Sequence, residues 1–197
     1  ILKSSALIGG SQLVTMVIGL VRTKFAAVLL GPSGVGLVGT YYAIQQFAIV
    51  LAGMGINQSG VRDISGARGS ESPVRIAETV TVLRRLSLWL GLAGALIVAL
   101  LAFPLSRLTF GDDAHALGIM ALGVSVFIGL ISAAQLAILQ GFRRIGDMAK
   151  AGIYGTIIGS AVTVTWYLAL GVDGIITAIL SLSVVTLFFT WYFARSV

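Results

Sequence analysis

Charge is what this sequence has least of. Lys, Arg, Asp and Glu make up 10% of its 197 residues, where a soluble domain carries about 25%. With 57% hydrophobic residues and a mean hydropathy of +1.03, the apolar surface exceeds what one core can hide. A second apolar solvent is required, and the chain reads as an integral membrane protein. Cysteine is absent, which excludes disulfides and thiolate metal sites and leaves the redox compartment unread. His115 stands alone, with no second His or Cys to complete a metal centre, and no Ser/His/Asp arrangement is present. The seven acidic residues, Asp63, Glu71, Glu78, Asp112, Asp113, Asp147 and Asp173, all fall in connections or at helix ends. A proton or sodium relay buried in the membrane therefore has no obvious carrier. The expectation is a protein with no catalytic residues, no metal and no cofactor, and not an enzyme.

Residues 1–30 also lack the short apolar region and small-residue cleavage site of a signal peptide. The chain starts on Ile and stops just past a hydrophobic segment, so it is expected to be a fragment.

What is present is apolar sequence in long runs. Six stretches are long enough to cross a hydrocarbon layer that needs about 20 helical residues: approximately 5–30, 37–61, 86–110, 116–141, 153–170 and 175–193. Glycine, with 25 copies, suits helices packed closely in a membrane. The connection GPSGVG (31–36) lacks the Gly-Lys-Ser/Thr ending of a phosphate loop and reads as an uncharged turn. Ser72-Pro73 marks a helix start. From there 73–85 alternates Ile76, Val80 and Leu83 with Arg75, Glu78, Arg84 and Arg85, as in an amphipathic helix at the membrane surface. The fold class expected is all-α: a bundle of six transmembrane helices.

Basic residues orient it. With a cytoplasmic N-terminus, Lys3, Arg62, Arg68, Arg75, Arg84, Arg85, Arg143, Arg144, Lys150 and Arg195 lie inside, and Arg107 is the one basic loop residue opposite. That bias fits the positive-inside rule and explains the pI near 10.2 through anionic lipid headgroups, with no nucleic acid needed. Tyr41, Tyr42, Trp166, Tyr167, Trp191 and Tyr192 fall near span ends and read as interfacial belt residues.

Two basic residues remain, Arg22 and Lys24, toward the outer end of the first helix. Either they snorkel to the headgroups or they hold an anion. At 100° per residue Gln12, Thr15, Gly19, Arg22, Thr23 and Ala26 form one stripe, from which Lys24 lies some 100° or more away. The second helix offers Gln45, Ala48, Ala52, Gly55, Ser59 and Arg62 on one face, with Asn57 elsewhere. Gln135 of the fourth helix is a weaker candidate. These polar groups serve either as glue between helices or as the lining of a wet cavity. A cavity whose strong charges are basic prefers a phosphate or pyrophosphate to an organic cation.

LKSSALIGGSQLVTMVIGLVRTKFAAVLLGPSGVGLVGTYYAI and then LAGMGINQSGVRDISGA resemble bacterial polysaccharide flippases. These are O-antigen and exopolysaccharide translocases of the multidrug/oligosaccharidyl-lipid/polysaccharide transporter superfamily. The shared features are an early Gly-Ser/Gln helix, Arg-x-Lys before Leu-Gly-Pro-x-Gly, and Gly-Met-Gly-x-Asn-Gln leading to Arg62. The match is good over residues 2–68; beyond them it is mainly hydropathy and spacing. The resemblance implies two lobes of six helices around a cavity open alternately to either side, this chain being the N-terminal lobe and the C-terminal one missing. It implies a lipid-linked oligosaccharide on polyprenyl pyrophosphate as substrate, the bacterial inner membrane as location, and glycan polymerase or glycosyltransferases as neighbours alongside membrane lipids. The headgroup-binding role falls to Arg22 first, Arg62 second and Lys24 third, with Gln12, Thr15, Gln45, Ser59, Asn57 and Gln135 lining the cavity. Related multidrug exporters typically carry a carboxylate in the first helix, and none is present here. The alternatives are a drug or metabolite exporter of the same superfamily and a non-transporting scaffold for glycan-assembly enzymes.

Overall fold

The computed structural model describes residues 2–69 and 72–195, with side chains from residue 8 onward. The Lys3 side chain and Glu71, both part of the charge reading, lie outside the described set. Every described element is helical: α1 (Leu2–Gly53), α2 (Ile56–Gly69), α3 (Pro73–Leu100), α4 (Ala102–Phe110), α5 (Ala116–Gly141), α6 (Ile145–Leu170), a 3-10 turn (Gly171–Asp173) and α7 (Gly174–Ala194). Four apolar helical stretches reach membrane-spanning length: Ile8–Gly53, Pro73–Leu100, Ala116–Gly141 and Ile145–Ala194. The first and last, of 46 and 50 residues, would rise about 70 Å or more if straight, over twice the ~30 Å hydrocarbon thickness. Each instead folds back at a glycine. The chain is an all-α, multi-pass membrane protein.

In α1 the reversal takes one residue. Gly31 has φ 72° and ψ −179°, a region essentially closed to side-chain-bearing residues. Pro32 then opens the second arm, where its missing N–H removes no helical bond. The uncharged turn expected over 31–36 thus shrinks to Gly31, and Pro32-Ser33-Gly34-Val35-Gly36 is already helix. At the far end, Gly171 (φ 58°) begins the reversal between α6 and α7. The antiparallel pairing there is read from Trp166 Nε1 donating to Ser181 Oγ at 3.0 Å and from Gly155 packing on Thr186.

Three expected spans differ from the observed helices. The run 37–61 is interrupted, because Met54 (φ 43°) and Gly55 (φ 77°) are both left-handed. A helical stripe cannot keep its phase across two such residues. Ser59 and Arg62, on α2, therefore do not continue the face of Gln45, Ala48 and Ala52. The run 86–110 breaks at Leu101 (φ −89°, ψ 3°), where Pro104 has no N–H for the Leu100 carbonyl and its ring would clash with it. Residues 73–85 are continuous with the following span in one 28-residue helix, about 42 Å long. Ser72 precedes Pro73 in extended conformation (φ −92°, ψ 111°) but makes no side-chain cap bond. The expected 153–170 helix begins at Ile145, where Arg144 Nε donates to Asp147 Oδ2 at 2.6 Å across the first turn.

α5 is the hub. Ile119, Leu122, Val126, Leu130 and Ile138 are buried along it, and α1, α2, α3, α4 and α7 all pack on it. With lipid as apolar as leucine, such helices associate through close packing, which small residues allow. A methyl group on Gly123 would stand 2.8 Å from the Ala95 carbonyl oxygen of α3, and one on Gly141 would stand 2.7 Å from Ile64 of α2. α2 is also tied down by Arg68 Nη1 donating to the Phe142 carbonyl at 2.8 Å. The first arm of α1 is the most peripheral element. Leu13, Met16, Leu20 and Val28 face outward, and Ala26 and Leu30 alone among its described side chains are fully buried.

Candidate functional site

The first arm places Arg22 nine residues before the Gly31 reversal, and the second arm places Tyr42 eleven after it. Helices that fold back on one another bring such roughly equidistant residues face to face. The Arg22 guanidinium carbon lies 5.6 Å from the centre of the Tyr42 ring. The ring's negative face attracts the cation with about 0.5–2 kcal/mol. Arg22 is half-buried. Among the described residues the ion pairs are Arg107–Asp113 and Arg144–Asp147, so no described carboxylate neutralises it. The Tyr42 hydroxyl is buried and has no hydrogen-bond partner. Tyr167 of α6, 3% exposed, belongs to the core cluster against which Tyr42 packs.

The stripe Thr15–Gly19–Arg22–Ala26 descends from half-buried to buried, following the 4-3-4 spacing of one helical face. Gln12 and Thr23 flank it and are exposed. Gln12 and Thr15 help line an open depression of about 610 Å³ with Gly9, Leu13 and Met16. The Thr15 hydroxyl donates back to the Gln12 carbonyl at 2.9 Å. Lys24 is exposed on another side of the helix.

The remaining candidates lie elsewhere. Arg62 is exposed on α2, in a groove of about 450 Å³ with Asp63, Gly66, Ala67, Arg75 and Thr79. The eleven residues from Tyr42 to Gly53 already rise about 16 Å, so Arg62 and Arg22 belong to opposite ends. Asn57 and Ser59 are exposed on α2, and the Ser59 hydroxyl bonds back to the Gly55 and Ile56 carbonyls at 3.3 Å each. Gln45 is buried inside the bundle, its Nε2 donating to Ser183 Oγ of α7 at 3.4 Å. Gln135 is buried too, and its Oε1 has no partner.

The belt reading of the aromatics needs correction. Tyr41 and Tyr167 are buried in the bundle, with the Tyr41 hydroxyl and His115 Nδ1 3.0 Å apart and the His115 ring 4.1 Å from that of Phe110. Trp191 and Tyr192 are exposed, with Arg195 over both rings at 5.6 and 4.5 Å, as interfacial anchors are. Sequence reasoning thus missed Tyr42 as the companion of Arg22. The available signal was register, since Arg22 and Tyr42 flank Gly31 almost symmetrically.

At the Gly31 end, Arg107 is held by two bonds to Asp113, Nε to Oδ1 and Nη2 to Oδ2, each 2.7 Å. The hydrogen bond from Arg107 keeps the Asp113 carboxyl below its usual range. Asp112 is engaged as well, accepting from the Ala114 N–H at 3.1 Å. Arg107, in the last turn of α4, therefore adds no free positive charge at this end.

A half-buried guanidinium without a carboxylate is suited to one kind of chemistry. Its fork of N–H donors matches phosphate oxygens in two-point bonds, and low local polarity strengthens the attraction.

A family model described as "Polysaccharide biosynthesis protein" matches residues 1–196. The chain is 28% identical over 184 residues to proteins named "Lipid III flippase" in Escherichia coli (strain K12) and in Shigella flexneri. Each alignment covers 93% of this chain and 43% of the relative, so the chain spans less than half the length of these curated relatives. No solved structure matches it.

Proposed function

Since the chain belongs to the polysaccharide biosynthesis protein family, we propose that it forms the N-terminal six-helix lobe of a flippase for lipid-linked oligosaccharide. The substrate is a glycan on polyprenyl pyrophosphate, carried across the bacterial inner membrane for surface polysaccharide assembly. The six crossings are the two arms of α1 (the second ending at Gly53), α3 with α4, α5, α6 and α7. The lobe rocks against a second lobe, in keeping with the greater length of the named relatives. The N-terminus is cytoplasmic. Basic residues then crowd the inner end, while at the outer end Arg107 is neutralised by Asp113. Glycan polymerase or glycosyltransferases are the expected neighbours, and the protein is a transporter, with no chemical step of its own.

One observation carries this reading: Arg22 is kept half-buried on the polar stripe of α1 with no described carboxylate against it. A half-buried guanidinium with no described carboxylate beside it is suited to meeting an anion. The pyrophosphate of a lipid carrier supplies that anion, its tail remaining in the bilayer. Lys24, exposed on the other side, acts as a surface anchor, and Arg62 meets the headgroup at the inner end.

The test uses the full-length protein in cells deprived of their own flippase. Arg22→Gln should abolish surface glycan while the protein persists in the membrane by immunoblot. Normal surface glycan from that variant would sink the assignment.

A further inference from the structure

We propose that Tyr42 is the positioning residue for Arg22, the face of its ring stationing the guanidinium where an anionic headgroup is to be met. The proposal rests on the reading of Arg22 given above. Nine helical residues separate Arg22 from the Gly31 reversal, a rise of about 14 Å. A flexible basic side chain on a peripheral helix tends to run out toward the headgroups. The guanidinium instead lies 5.6 Å from the Tyr42 ring centre. That ring is a fixed platform. Its neighbour Tyr41 is buried and paired with His115 at 3.0 Å. Three residues on, Gln45 is buried and bonded to Ser183 at 3.4 Å. The buried Tyr167 of α6 belongs to the core cluster against which Tyr42 packs. Both fastenings flank Tyr42 along the second arm, so the ring has little freedom to leave Arg22.

The hydroxyl separates two roles that Tyr42 could have. It is buried and bonded to nothing, so it neither holds the fold nor reaches a ligand from this position. The ring alone makes the contact with Arg22. A phenylalanine should therefore serve as well as the tyrosine. A ring of the same shape whose negative face has been cancelled by fluorine should not, because the attraction is to the ring's quadrupole.

The experiment measures binding of undecaprenyl pyrophosphate to the full-length protein in lipid nanodiscs. Tyr42→Phe should bind within twofold of the natural protein, and 3,4,5-trifluorophenylalanine at the same position should weaken binding at least fivefold. The fluorinated ring keeps the packing, so a purely structural role would leave affinity unmoved. Tyr42→Leu should match the fluorinated ring, and in an Arg22→Gln background neither change should weaken binding further. Equal affinity for phenylalanine and its fluorinated form would overturn the proposal. So would a loss in Tyr42→Phe as large as that in Tyr42→Leu, which would give the role to the hydroxyl. If Arg22→Gln itself binds like the natural protein, the reading of Arg22 fails, and that result is distinct from a failure of Tyr42 alone.

Discussion

Gly123→Ala adds one methyl group where α5 meets the backbone of α3, and the structure sets what it should do. The new carbon would lie 2.8 Å from the Ala95 carbonyl oxygen and 3.5 Å from the Ala95 carbonyl carbon and Cα. These are backbone atoms inside α3 and cannot swing aside as a side chain would. Ordinary contact needs about half an ångström more, so α3 and α5 must move apart along a seam that also includes Gly91 and Gly94. Overpacking of this kind costs about 1–3 kcal/mol. Alanine's better helix propensity returns about 1 kcal/mol, leaving a net loss of about 0–2 kcal/mol, and about 1–3 kcal/mol relative to a control that gains the propensity alone. Gly152→Ala on α6 is the matched control, because its methyl would meet nothing within 4 Å and propensity alone should leave it neutral or slightly more stable. The assay is unfolding of the full-length protein in mixed micelles by titration with denaturing detergent, read by helical circular dichroism. If Gly123→Ala unfolds together with Gly152→Ala, the close approach of α3 to α5 is wrong, and with it the account of α5 as the hub.

Gly31→Ala should destabilise by about 1–3 kcal/mol in the same assay, since φ 72° with ψ −179° is a conformation open essentially to glycine; Gly36→Ala, helical with free space around its Cβ, should be neutral or better. The proposed orientation can be read by single-cysteine labelling in a cysteine-free background of the full-length protein. Ser65→Cys on α2 should react with a membrane-impermeant maleimide only after the cells are opened, and Thr109→Cys on α4 should react in intact cells; the reverse pattern would invert the topology.

Composition and run length made the fold class legible, because a chain with 10% charge and runs of more than 20 apolar residues has few other solutions. The breaks inside those runs were harder to read. Pro104 was an available signal for the interruption at Leu101, through the carbonyl four residues before it. The left-handed pair Met54–Gly55 was not, because Met gives no warning of a positive φ and hydropathy runs smoothly through both. That single irregularity separated Ser59 and Arg62 from the helix that holds Gln45. The stripe through Arg22 was legible for a different reason: it lies within one uninterrupted arm, where 100° per residue holds throughout.

What the periodicity of one helix cannot supply is the partner on the next. Tyr42 looks like an interfacial aromatic as long as its helix is considered alone. Once Gly31 folds the two arms together, the same residue stands across from Arg22 and becomes its support. A membrane cation is therefore better judged in pairs about its nearest reversal than by depth. Lys24, two residues on and equally basic, turns to another side of the helix, stays exposed and has no aromatic ring against it among the described residues. Depth barely separates the two, about 3 Å of rise. Angle and the opposite arm do.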